Sequence, residues 1–274
     1  MTFISTSIYV EAYSFIKKMN LKKDLECHKF QVFKNDDVVL IITGVGKVIS
    51  AVAVTYLFLK YKIKSDDIFI NIGICSSKNK NIHIGDIFLC NKIIDYDTKK
   101  TFYPDIILKH PFKEENIETI SKVINDENMK IQSEIIDMEA SAIYEAALMF
   151  LQPHEIFFIK IVSDHLNNEK IDSNSITNLV ESKSEEIIKW ISDIKNVFLH
   201  NKSILDQEEQ RIVEDIIKKL RLSVTMANQL KQLLKYYKLE KGKFYKNIKM
   251  YRNVQCTSKK ERIDYFEQLK REII

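Results

Sequence analysis

Three short apolar runs constrain this chain most: "VVLIIT" at 38–43, "DIFINIG" at 67–73 and "EIFFIKIVSD" at 155–164. Each is too short for a helix of ordinary length, and each is rich in β-branched or aromatic residues. Each also stops at a glycine or an acid. Such runs read as strands buried on both faces. Helical patterns stand around them. "VISAVAVTYLFLKY" follows the first, residues 139–151 precede the third, and a segment from about 175 to 200 carrying Trp190 follows it. Strands that alternate with helices predict layered α/β architecture with much parallel pairing. The expected scheme adds an N-terminal helix in "SIYVEAYSFI" and a strand across 82–94 with a Gly-Asp turn inside it. It also adds a solvated helix at 114–125 and a strand at "EIIDM".

Beyond His200 the pattern is helical only, in "ILDQEEQRIVEDIIKKLRL", "TMANQLKQLLKYYKL" and "KERIDYFEQLKREII". We therefore expect two domains, 1–202 and 203–274, with Asp206 and Glu209 as a capping box for the first of these helices. Charge follows the same division. Lys218 to Lys260 holds thirteen basic residues and one acid, Glu240, whereas the whole chain is only +4. With tyrosines interleaved, that stretch reads either as a nucleic-acid surface or as a solvated or docking helical face. No arginine-rich or helix-turn-helix pattern favours the first.

The four cysteines, Cys27, Cys75, Cys90 and Cys256, are scattered without metal spacing, so free thiols in a reducing cytosol are expected and no metal site. The segment before Glu11 has neither the basic start nor the apolar core of a signal peptide, and no run approaches a membrane span. Glycine is scarce, five in 274, and four of them are Gly44, Gly46, Gly73 and Gly85. Turns of special geometry are expected there.

Ligands of open α/β sheets bind beyond the carboxyl ends of strands. Gly44-Val45-Gly46, Gly73, the acids Asp137 and Glu139, and Ser163-Asp164 all fall at such ends. Glu11 adds an acid to an otherwise apolar helix. It reads either as a pocket acid or as part of a solvated face, and Asp164 reads equally as a helix cap. Cys75, next to Gly73, reads as a buried thiol. "GVGKVI" fits neither the dinucleotide fingerprint nor the P-loop, and no G-x-S-x-G is present. Three separated acids without metal ligands fit acid/base work on an uncharged substrate.

Glu11, "ITGVGKVISA", "INIGICSS", "IGDI", "DMEASAI" and "KIVSD", in that order, resemble the nucleoside phosphorylase superfamily. The likeness is strongest to its hydrolytic branch, the 5′-methylthioadenosine/S-adenosylhomocysteine nucleosidases, and covers about residues 1–200. It implies a three-layer α/β/α sandwich around a mixed sheet and cleavage of a purine nucleoside's N-glycosidic bond without a cofactor. It also implies a place in methionine salvage in the cytoplasm, and a homo-oligomer, dimer or trimer. Carried over, Glu139 binds the ribose hydroxyls and Met138 packs on the sugar. Asp164, oriented by Ser163, protonates the purine, and Glu11 activates water. Gly73 and Cys75 line the substrate site. Phosphorolysis, or nucleoside binding with weakened catalysis, are the alternatives. The interval from Asp86 to Met138 is shorter than the family's, and Phe102, Tyr103 and Phe112 are its candidates for a ring stacked on the base. The Ala-Gly that the family carries after the second glycine turn is Cys75-Ser76 here, and no aromatic lid residue stands near Asn174.

Overall fold

The computed structural model describes residues 1–64, 67–122, 130–166, 172–201, 205, 207–242 and 248–273. It divides into two compact units, Met1–Lys195 and Asn196–Ile274.

The first unit opens with β1 (Thr2–Thr6) and α1 (Tyr9–Lys18), then β2 (Lys22–Lys23), β3 (Gln31–Lys34) and β4 (Val38–Ile42). After α2 (Lys47–Tyr61) come β5 (Ile68–Ser77), β6 (Ile87–Asp95), β7 (Thr101–Phe102), β8 (Lys113–Thr119) and β9 (Ile135–Asp137). Then α3 (Ala140–Ala147), β10 (Ile156–Asp164) and α4 (Ser173–Asn201) follow, the division between units falling inside α4. All ten strands form one mixed sheet. β1 lies parallel to both β4 and β5, and β5 lies parallel to β10. β10 is antiparallel to β6, which pairs with β8, then β9, then β5 again. Five strands thus close into a ring at one end of the sheet, and β1, β4, β3 and β2 extend from it.

The buried strands are apolar on both faces because helices cover both. In β10, Phe158 packs on Tyr144 of α3 at 5.9 Å between ring centres, and its neighbour Phe157 packs on Trp190 of α4 at 5.4 Å. Successive residues of a strand point to opposite faces, so α3 and α4 lie on opposite sides of the sheet. Phe58 of α2 meets Phe3 and Phe69 on the α3 side, and Lys18 of α1 pairs with Glu185 of α4 on the other. Burial of each such ring contributes about 1.5–3 kcal/mol. The result is the α/β/α sandwich.

The helix expected at 114–125 is replaced by a strand over its first half, and residues 123–125 lie outside the described residues. Lys113–Thr119 is β8, held in parallel pairing by β6 on one side and β9 on the other, with Ile117 and Glu118 fully buried. Tertiary pairing overrides the helical leaning of its glutamates. The shortened interval therefore still builds strands of the sheet. Gly73 is not a turn either, since it lies inside β5. Strand β6 begins only at Ile87, after the Gly85 turn.

The second unit holds α5 (Gln207–Lys219), α6 (Val224–Lys241), a 3-10 turn (Lys249–Asn253) and α7 (Lys259–Ile273). Its own core contains Ile212, Ile216, Leu230, Leu234, Tyr251 and Phe266. The Ser223 hydroxyl caps α6 by accepting from the Met226 N–H at 3.3 Å. Asp206, the expected cap of α5, lies outside the described residues, and its expected partner Glu209 is buried and paired with Lys238. Arg252 pairs with Asp215, and the Lys219 ammonium donates to the Arg252 carbonyl, so part of the basic stretch is engaged within the unit. All four cysteines are buried and free. Among the described residues no helix is long and apolar enough to cross a membrane.

Candidate active site

The carboxyl ends of β1, β5, β9 and β10 meet around a cavity of about 220 Å³. That is smaller than the roughly 300–1,000 Å³ of sites for drug-sized ligands, so it suits one compact molecule. Glu11, Cys75, Ser76, Asp137, Met138, Glu139, Ser163 and Asp164 line it, with Ser7, Ile8, Val45, Ile74, Ile120, Ile136 and Leu166. Every expected site residue but Gly73 is in that lining, and Gly73 sits directly behind it.

Glu11 belongs to the first turn of α1, 2 % exposed, which rules out the solvated-face reading. Its Oε2 accepts from the Ser7 N–H at 2.7 Å and the Ile8 N–H at 3.0 Å. Its Oε1 reaches across to β5 and accepts from the Ile74 N–H at 2.9 Å. That reach explains Gly73, where an added Cβ would lie 3.2 Å from Glu11 Oε1. The glycine supplies space there, not a left-handed turn. Burial pushes the Glu11 carboxyl above its ordinary value, against the opposing pull of the three N–H groups and of Lys160.

Glu139 occupies the N-cap position of α3, directly after β9. Its Oε1 accepts from the Gly46 N–H at 2.8 Å. Gly46 has φ +106°, a conformation that favours glycine, and this turns its N–H toward the carboxylate. Burial, with the nearby charge of Asp137, pushes Glu139 up to about 7, against the pull of Lys160 and the Gly46 N–H. The two acids of "DMEAS" therefore do different work. Asp137 turns inward, where Oδ2 accepts from Lys160 at 2.8 Å and from the Ala140 N–H at 2.9 Å, and Oδ1 accepts from the Thr119 hydroxyl at 2.7 Å. Glu139 keeps one oxygen for the cavity.

Asp164 is half-buried at the end of β10. Its Oδ2 accepts from Ser163 at 2.7 Å and Ser76 at 3.0 Å, and its Oδ1 from the Leu166 N–H at 2.9 Å. Ser163 also lies 3.1 Å from the Cys75 carbonyl. The Ser163 hydroxyl carries a single proton, which it shares between these two acceptors. The Asp164–Leu166 bond closes a local turn at the end of β10 and does not cap a helix, since α4 begins only at Ser173. Cys75 is buried, and desolvation pushes its thiol well up, which leaves it an inert wall.

Sequence reasoning missed Lys160, Ile120, Ile136 and Leu166. Lys160 is 1 % exposed beneath the acids, and the charges of Asp137 and Glu139 raise its ammonium's pKa against desolvation. A lone cation inside "FFIKIV" was the available signal. None of the expected aromatic substitutes reaches the cavity. Phe102 packs on Tyr144, Phe112 on Trp190, and Tyr103 is exposed. Phe102 belongs to β7 and Phe112 directly precedes β8, and isoleucine and leucine form the wall instead. Asn174 is exposed in the first turn of α4. Among the described residues no group of three or more His, Cys, Asp or Glu could hold a metal ion.

Known proteins resemble this chain in sequence and in fold. The Phosphorylase superfamily model matches residues 10–133. The 5′-methylthioadenosine/S-adenosylhomocysteine nucleosidase of Buchnera aphidicola is 26% identical over 213 residues, covering 65% of this chain and 81% of that protein. The protein of the same description from Staphylococcus aureus MRSA252 is 23% identical over 171 residues, covering 50% of this chain and 73% of its own. Among solved structures, the nucleosidase of that description from Campylobacter jejuni superposes with a TM-score of 0.57 at 16% identity, covering 69% of this chain and 96% of that one. Futalosine hydrolase of Helicobacter pylori superposes with a TM-score of 0.58 at 10% identity, covering 70% and 97%. The matching stretch, the named relatives and the shared sandwich all point the same way: over its first unit the chain is similar to the phosphorylase superfamily.

Proposed function

We propose that the first unit hydrolyses the N-glycosidic bond of a purine nucleoside, with 5′-methylthioadenosine or S-adenosylhomocysteine as the first substrates to try. One observation carries the reading: Glu11, Glu139 and Asp164, from three distant parts of the chain, line one small cavity. Loss of the base leaves positive charge on the sugar and electron density on the purine. A carboxylic acid at Asp164, oriented by Ser163 and Ser76, suits protonation of the departing base. Glu139 suits the ribose hydroxyls, and hydrogen bonds to a charged acceptor are the stronger kind. Glu11, held by three backbone N–H groups, suits activation of water beside the sugar carbon, and its charge favours the developing cation. Met138 supplies the apolar contact to the sugar.

Hydrolysis is favoured over phosphorolysis by charge. Among the described residues no Lys, Arg or His lines the cavity, and Lys160, just beneath it, is committed to Asp137. A phosphate dianion would meet Glu11 with no cation to offset it. The test is a panel of purine nucleosides, amino- and oxo-substituted, incubated with and without phosphate. Release of free base without phosphate is expected. Release only with phosphate would replace the reading by phosphorolysis. Thermal stabilisation without turnover would leave a binding module, the second reading, which the absence of a ring among the described lining residues favours.

The exposed apolar group Val45, Val48, Ile49 and Val52 at the start of α2 supports a homo-oligomer, because Val45 also lines the cavity. Sedimentation of the full chain, with and without Val48→Asp, tests it. For the second unit, the nucleic-acid reading of 218–260 rests on its charge and interleaved tyrosines alone.

A further inference from the structure

We propose that Asp95 is the positioning residue for Glu139, because one of its oxygens ties together the loop that donates to Glu139 and the helix that carries it. This deepens the hydrolase reading and takes its catalytic meaning from it.

Asp95 ends β6 and is 6 % exposed. Its Oδ2 lies 2.7 Å from the Lys47 ammonium and accepts from the Ser141 hydroxyl at 2.6 Å. Its Oδ1 accepts from the N–H and the hydroxyl of Thr98 at 2.8 and 2.9 Å, which fixes the carboxylate plane. Lys47 directly follows Gly46, the residue whose N–H holds Glu139 Oε1. Ser141 stands two residues after Glu139, in the first turn of α3. Donor and acceptor of the Gly46–Glu139 bond are therefore each within two residues of a group bound to Asp95 Oδ2.

The loop needs such a tether. Val45, Val48 and Ile49 around it are 55 %, 81 % and 41 % exposed, so no core packing fixes it within this unit. Gly46 itself adds backbone freedom. Lys47 also meets Asp97 at 2.7 Å, but Asp97 is half exposed and its other partner is Ser121, outside α3. That pair is screened and cannot couple loop to helix. Asp95 is the shared node. Ser141 is held a second time, through its N–H on the Thr119 hydroxyl, which in turn donates to Asp137.

The experiment compares Asp95→Asn with wild type on two substrates of the same base. One is the ribonucleoside, and the other lacks both ribose hydroxyls that Glu139 would bind. A group that acts through Glu139 should lower kcat/KM on the ribonucleoside about 10–100-fold while changing it less than about threefold on the hydroxyl-free substrate. Asp97→Asn, the control, should change either by less than about threefold. Equal losses on both substrates in Asp95→Asn would overturn the proposal. If wild type turns over no nucleoside, the hydrolase reading fails by itself, and the positioning is read without turnover. The Gly46 amide resonance of the isotope-labelled chain should follow the titration of Glu139 near pH 7 in wild type and lose that response in Asp95→Asn. An unchanged Gly46 titration in the variant overturns the proposal on that arm.

Discussion

The two ends of the cavity are built from different materials. At the Glu11–Glu139 end, buried carboxylates are held by backbone N–H groups of α1, β5 and the Gly46 loop. At the Asp164 end, one half-buried acid stands among serines, and the walls are Ile120, Ile136 and Leu166. The first end is specified atom by atom. The second is specified by shape and apolarity, which grip a flat ring only loosely. The difference teaches that, on the proposed hydrolase reading, the Glu11–Glu139 end would constrain its ligand more firmly than the Asp164 end.

The largest effects should come from the acids. Glu11→Gln and Asp164→Asn should each lower kcat by about 10²–10⁴-fold, as single-turnover kinetics would show. If Asp164→Asn kept full activity while Glu11→Gln lost it, the base end would carry no acid, and the contrast would be deeper than drawn here. Gly73→Ala should follow. Its methyl group would press on Glu11 Oε1 from 3.2 Å. A displacement of that carboxylate should cost up to about 10²-fold in kcat, with little change at Asp164.

Next comes pH. Glu139 titrates near 7, so kcat/KM should fall about tenfold per unit as pH drops below that value, because the acceptor is protonated. Glu139→Gln should lose this acidic limb. Stability should run the other way. A carboxyl whose folded pKa is raised favours the protonated native state, so its contribution is full below pH 4.5 and is lost as pH rises through about 7. Chemical denaturation of wild type and Glu139→Gln across that window measures the slope. The smallest effect should be Leu166→Phe, which offers the loose end a ring. Stacking should lower KM by about 3–10-fold with kcat nearly unchanged. A rise in KM would show that the isoleucine wall already fits its base.

Much of the sugar end was legible in the sequence because its anchors sit at strand ends marked by glycine or by strand-to-helix hand-over. Gly44-Val45-Gly46 and "DMEAS" carry that mark, and Glu11 stood out as an acid in an apolar helix. The supports were not legible. Lys160 stands inside a strand whose period gives no reason for a cation. Asp95 sits in "DYDTKK", where its purpose depends on Lys47 and Ser141, nearly fifty residues away on either side. Strand β8 was hidden because its charged first half meets water while Ile117 and Glu118 are sealed between two neighbours. Strand β1 was missed because Thr2–Thr6 is short and half polar, although every residue in it is buried. Sequence patterns report a residue's own preference. They do not report partners brought together by sheet closure.

Glu11 is gripped by peptide groups, and that shapes how such a protein can drift. Side chains can be exchanged one after another across a lineage, while an amide proton survives every exchange except proline. A carboxylate moored to the main chain of Ser7, Ile8 and Ile74 thus keeps its place after the flanking letters have become unrecognisable. The durable part of this inheritance is the path of the backbone, with one bare position at Gly73 to let it pass.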